Sequence, residues 1–205
     1  MPAVSETIVR EYFEAQGFFV RQQRKFIAPL RNEDDEIDFL VVNPRCTRSG
    51  GELPFVLSSG DLAGVARAVV VVKGWHTDTF STSLLTHAPE IFRFVEPAAA
   101  QQAAKSFGGE GPVTKILVVP ALPAAAEGRK ASIDLLRSRG IDAVIPFQTI
   151  LRDLIDQIET NRNYQKSDLL QVIRILKNYD FFREKQLELF RSGRPSRKRS
   201  SVTKT

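Results

Sequence analysis

The sequence predicts an α/β domain, and three observations predict it. Residues 67–72 read RAVVVV, four valines in a row, the pattern of a strand buried on both faces. Residues 115–145 read strand, helix, strand: KILVVP, then a helical pattern closed by Gly140, then IDAVI. Such a unit makes parallel strands joined by a right-handed crossover. Apolar residues also recur at helical spacing toward both ends, at Ile8, Val9, Tyr12 and Phe13 and again at Ile150, Leu151, Leu154, Ile155 and Ile158. With 205 residues, 42% of them apolar, the chain has enough to bury one core with additions.

The elements follow in order. Ser5 is the expected N-cap of a first helix over 5–16, with Glu6 in its first turn and Gly17 ending it. Residues 18–27 (FFVRQQRKFI) predict a strand buried at Phe18–Val20 and exposed at Arg21, Arg24 and Lys25. Those cations suit a solvated edge and a phosphate-facing strip equally. Residues 35–43 (DEIDFLVVN) predict the second strand; period two puts Glu36 and Asp38 on one face and Ile37 and Phe39 on the other. Residues 44–64 are punctuated by Pro and Gly, with Leu53–Leu57 as a short extra strand. The third strand ends in Lys73, on the same face as Val71. Residues 76–86 are rich in hydroxyls and predict a loop or the start of a helix. Pro89 starts a helix that Pro97 interrupts and residues 98–107 resume. The fourth strand spans 115–120, a helix 128–140 and the fifth strand 141–145. Two further helices, 149–159 and 167–189, form a hairpin, the second with Leu169, Val172, Ile173 and Leu176 inward. The division expected is a core over 1–146, a helical addition over 147–190 and a basic, disordered tail over 191–205.

Two acidic residues open the second strand, and a lysine closes the third some thirty residues later. A carboxylate at the mouth of a buried strand is costly unless it is paired, hydrated or bound to a cation. A lysine at a strand end has a plain use too, carrying its amine to solvent along the edge of the core. Asp38 followed by Lys73, in the order helix, three strands, helix, strand, resembles the restriction-endonuclease-like superfamily. Its motif is an Asp on one strand and Glu-x-Lys on the next, and the likeness covers most of the chain. The resemblance implies Mg²⁺- or Mn²⁺-dependent phosphodiester hydrolysis. It implies Asp38, Lys73 and Glu6 as catalytic residues and Asp38 with Glu36 as metal ligands. A hard cation of this kind takes carboxylate oxygens and activates water. The chain departs from the motif at Val71, where the family's Glu belongs. The expectation is therefore a degenerate, inactive site on a DNA-binding protein. The alternatives are an active enzyme with a relocated acid (Glu36, Glu6 or Asp78) or another α/β domain used for protein interaction.

The net charge of +5 is uneven: residues 191–205 carry six basic residues and no acidic one, so residues 1–190 sum to −1. A near-neutral body offers less support for a nucleic-acid groove than a basic one. DNA is the expected partner, with a protein partner or a second copy through the C-terminal helices as the other. Cys46 is the single cysteine, which excludes an intrachain disulfide and a cysteine zinc cluster. His76 and His87 have no second ligand at metal spacing and read as surface residues, and Gln101, Gln102 and Lys105 as a solvated helix face. No run of eighteen apolar residues occurs and the first residues lack a secretion signal, so no membrane span and a cytoplasmic location are expected. Phosphate-loop, dinucleotide, serine-elbow and kinase motifs are absent.

Overall fold

Five strands lie side by side in chain order: β1 (Phe19–Gln22), β2 (Phe39–Val42), β3 (Arg67–Val72), β4 (Thr114–Val119) and β5 (Ala143–Pro146). The structure is a computed structural model and describes residues 2–23, 37–46, 53–108 and 111–182. β1, β2 and β3 make an antiparallel meander, and β3, β4 and β5 are parallel. This topology sorts the strand ends. The C-terminal ends of β1, β3, β4 and β5 share an upper edge with the start of β2. The opposite strand ends make the lower edge. The protein is thus an α/β fold on a mixed sheet.

Helices cover both faces. α1 (Pro2–Ala15), α5 (Phe147–Gln157) and α6 (Asp168–Asn178) lie on one, where Val9, Tyr12, Phe13, Ile150 and Leu154 meet Val70, Val72 and Val118. α2 (Thr82–His87), α3 (Pro97–Ser106), α4 (Ala126–Ser138) and a 3-10 segment, Pro89–Val95, cover the other, where Leu85, Ile91, Phe94 and Leu136 meet Val69, Val71 and Leu117. The valine run is buried on both sides because the alternation of β3 feeds both layers. Each such valine contributes about 1.5–3 kcal/mol on burial. Among the described residues no helix is long and apolar enough to cross a membrane.

Several expectations need correction. The first helix starts at Pro2, a residue suited to the first helical position, so Ser5 lies inside it and Glu6 is past its first turn. Gly17 does end it, at φ +88. β1 is shorter than expected, and residues 24–27 lie outside the described ones, as do Arg24 and Lys25. Phe19 is 69% exposed where burial was expected, because the α4-side core does not extend to the edge strand. Ile37 and Phe39 do not share a face: Ile37 packs in the α4-side core and Phe39 in the α1-side core. Phe39 stands opposite Val70, yet the Asp38 N–H also donates to the Val70 carbonyl (3.1 Å). Two residues against one make a bulge, which reverses the side for what precedes it.

Leu53–Leu57 forms no full strand but a single parallel bridge, Val56 to Val144. Residues 82–87, within the expected loop, form α2, with the Ser81 hydroxyl accepting from the Leu84 N–H (3.3 Å). The Pro89 helix is 3-10 rather than α. α6 stops at Asn178, well before residue 189, in a turn with Asp180 at φ +58; residues 183–190 lie outside the described ones. Val172 faces solvent rather than the core.

Candidate functional site

The upper edge gathers most of the residues singled out from the sequence. Gln22 ends β1, Asp38 precedes β2 and Lys73 follows β3, so three neighbouring strands deliver them to one edge. Asp38 is half-buried and held from several sides. Its carbonyl accepts from the Gln23 N–H (2.8 Å), and its Oδ2 accepts from the Val72 N–H at 2.7 Å. A strand N–H points along the sheet toward its neighbour, so the carboxylate lies near the sheet plane. It takes over a ladder bond just before β2 begins. A charged acceptor makes this bond roughly twice as strong as a neutral one.

Lys73 is half-buried and still paired, its N–H donating to the Val118 carbonyl (3.1 Å). Alternation sends its side chain to the α4 face with Val71. Val71 itself is 1% exposed and belongs to the core of that face. Glu6 reaches the edge from the other face, on α1, where its Oε2 accepts from Gln22 Nε2 (2.9 Å). Asp38 and Lys73 are therefore brought to adjacent strand ends, and Glu6 and Lys73 approach from opposite faces. Glu36 lies outside the described residues. Asp78 is exposed on the loop after β3, its N–H donating to the Trp75 carbonyl (2.8 Å). Among the described residues no group of three or more His, Cys, Asp and Glu side chains is placed to hold a metal ion.

The sequence did not reveal the second contact at this edge. Ser5 is buried, and its Oγ lies 2.8 Å from His76 Nε2. The His76 ring also packs edge-on against Phe147, 4.5 Å between centroids. Gly74 admits this approach, since a β-carbon there would stand 2.7 Å from Ser5 Oγ. A buried hydroxyl on a helix is a poor nucleophile for an incoming substrate, so the pair ties α1 to the loop after β3. The glycine two residues before the histidine was the available signal, and its partner was 71 residues away.

On the α1 face Tyr12 is buried, and its hydroxyl donates to Asp153 Oδ2 (3.4 Å). Burial first, then the Asp153 charge, holds its ionisation well above the ordinary phenol range. The fold and edge define a mixed-sheet α/β protein with a carboxylate and a lysine at neighbouring strand ends. No family model, curated protein or solved structure matches the chain.

Proposed function

We propose that the chain is a restriction-endonuclease-like protein that binds DNA and has lost Mg²⁺-dependent phosphodiester cleavage at Val71. The observation that carries this reading is the pairing at the upper edge. Asp38 and Lys73 lie at the ends of adjacent strands within the order helix, three strands, helices, strand, and the residue two before Lys73 is a buried valine. Asp38 persists because it has a second use, tying the start of β2 to the Val72 N–H. Loss of the metal-binding Glu thus removes the chemistry without removing the reason for the Asp. A plasmid-nicking assay with Mg²⁺ or Mn²⁺ tests the proposal, with duplex binding read in parallel. Binding without cleavage is expected. Metal-dependent cleavage that disappears in Asp38→Asn refutes the lost-activity reading and points to an acid supplied from elsewhere.

A second reading, a protein-interaction domain, rests on α6. Val172, Ile175 and Tyr179 line its outer side, and Phe181 follows, all exposed. Spacings of three and four place the first three on one stripe. Self-association by light scattering that Tyr179→Glu abolishes supports this reading.

A further inference from the structure

The outer side of α6 is complementary to itself. Val172, Ile175 and Tyr179 stand on it, and the exposed Asp168, four residues before Val172, continues the same stripe into the first turn. Ser167 rather than Asp168 caps the helix, its Oγ accepting from the Leu170 N–H (3.3 Å). At the other end the Phe181 N–H donates to the Leu176 carbonyl (3.0 Å) and the Asp180 N–H to the Lys177 carbonyl (3.1 Å). These two bonds, with Asp180 at φ +58, fold the chain back along the helix and set Phe181 on the Leu176 side, at the border of the stripe. The two cations of the helix are engaged within the fold. Arg174 Nε donates to the Thr160 carbonyl (2.9 Å), and Lys177 Nζ to those of Ile155 and Ile158.

Val172 and Ile175 have the same midpoint in the sequence as Asp168 and Tyr179, between residues 173 and 174. A two-fold axis there, perpendicular to the helix, lays a second α6 alongside in the antiparallel sense. Val172 of each copy then meets Ile175 of the other, and the Tyr179 hydroxyl of each reaches the Asp168 carboxylate of the other. The helix dipoles oppose, and the exposed Lys166 and Asp180, at opposite ends of the element, face charges of opposite sign. A parallel pair would align the dipoles and set Asp168 against Asp168. The area suffices as well. Tyr179 and Phe181 are 75% and 73% exposed, and at about 150–250 Å² for an aromatic side chain they offer roughly 220–370 Å² per copy. With Val172 and Ile175 added, two copies bury on the order of 1,000 Å², the size at which a specific contact becomes stable.

We propose that α6 is a homodimer surface on which a second copy packs antiparallel, Val172 on Ile175 and Asp168 on Tyr179. The proposal rests on the α6 interaction reading above and deepens it by naming the partner and the register.

Sedimentation velocity of the full chain between about 1 and 100 µM tests it. The wild type should pass from monomer to dimer across that range. Tyr179→Glu sets a carboxylate against Asp168 of the other copy and should raise Kd more than about tenfold. Adding Asp168→Lys to that variant restores opposite charges across the axis and should bring Kd back to within about threefold of the wild type. Val172→Lys places a cation in the middle of the seam and should dissociate the dimer too. All three positions are exposed, so circular dichroism should show each variant folded. A wild type still monomeric at about 100 µM overturns the second copy as the occupant. Self-association that Tyr179→Glu weakens and Asp168→Lys fails to rescue overturns the antiparallel register and leaves the α6 reading standing. Self-association indifferent to both Tyr179→Glu and Val172→Lys overturns the α6 reading with it.

Discussion

Replacing Val71 by glutamate restores the acid that the resemblance calls for, and the structure sets its cost. Val71 is 1% exposed among Val69, Leu117 and Leu136. Losing the valine gives up part of about 1.5–3 kcal/mol, since the glutamate stem keeps some of the contact. Burying a carboxylate adds several kcal/mol more. A net loss of about 4–6 kcal/mol lowers Tm by about 10–20 °C for a chain of this size. If Asp38 and the new carboxylate hold Mg²⁺ together, metal at a hundred times its Kd returns about 2.7 kcal/mol, or about 5–10 °C. Differential scanning fluorimetry of Val71→Glu with and without Mg²⁺ reads both numbers. Adding Asp38→Asn to the variant should cancel the metal gain, and the wild type should show none. A Val71→Glu protein that stays unfolded in excess metal refutes the reasoning, because that face of β3 would then be ordinary core.

Three further outcomes follow from the geometry. Asp38→Ala orphans the Val72 N–H and should cost about 1–3 kcal/mol by urea melts, whereas Asp38→Asn keeps an acceptor and should cost less. Lys177 Nζ donates to the carbonyls of Ile155 (2.6 Å) and Ile158 (2.7 Å) at the end of α5, so Lys177→Met should cost about 1.5–3 kcal/mol and loosen α6 first in hydrogen exchange. Tyr12 has its folded pKa raised above the ordinary 10.0, so its neutral form is favoured in the fold. Above pH 10 the unfolded chain releases that proton first, and stability must fall as pH rises. Tyr12→Phe should flatten this alkaline fall in urea melts between pH 9 and about 11.

The strands were legible because their signals are local. RAVVVV and KILVV need no knowledge of their partners to read as buried strands, and the parallel crossover between β4 and β5 follows from the helix between them. What failed was set by contacts far along the chain. Ser5 looks like a cap by its type, and only its partner His76 explains why it turns inward. Val56 bridges β5 at Val144, a pairing that no local pattern announces. Asp38 was recognisable as a special carboxylate. Its use as the acceptor for Val72 was not, because an acid at a strand mouth looks the same whether it meets a metal or an N–H.

The contact of Tyr12 with Asp153 joins residues 141 apart in the chain. During synthesis at about 5–20 residues per second, α1 leaves the ribosome roughly 7–30 seconds before α5 does. Until then Val9, Tyr12 and Phe13 have the meander and the Leu57–Val65 segment to lean on, and lack the cover of Ile150 and Leu154. Native closure of that layer is thus a late event in the life of the nascent chain, as expected where long-range pairing dominates. The exposed interval is the stage at which a holding chaperone has most to offer this protein. Messages that slow translation before residue 147 lengthen that interval.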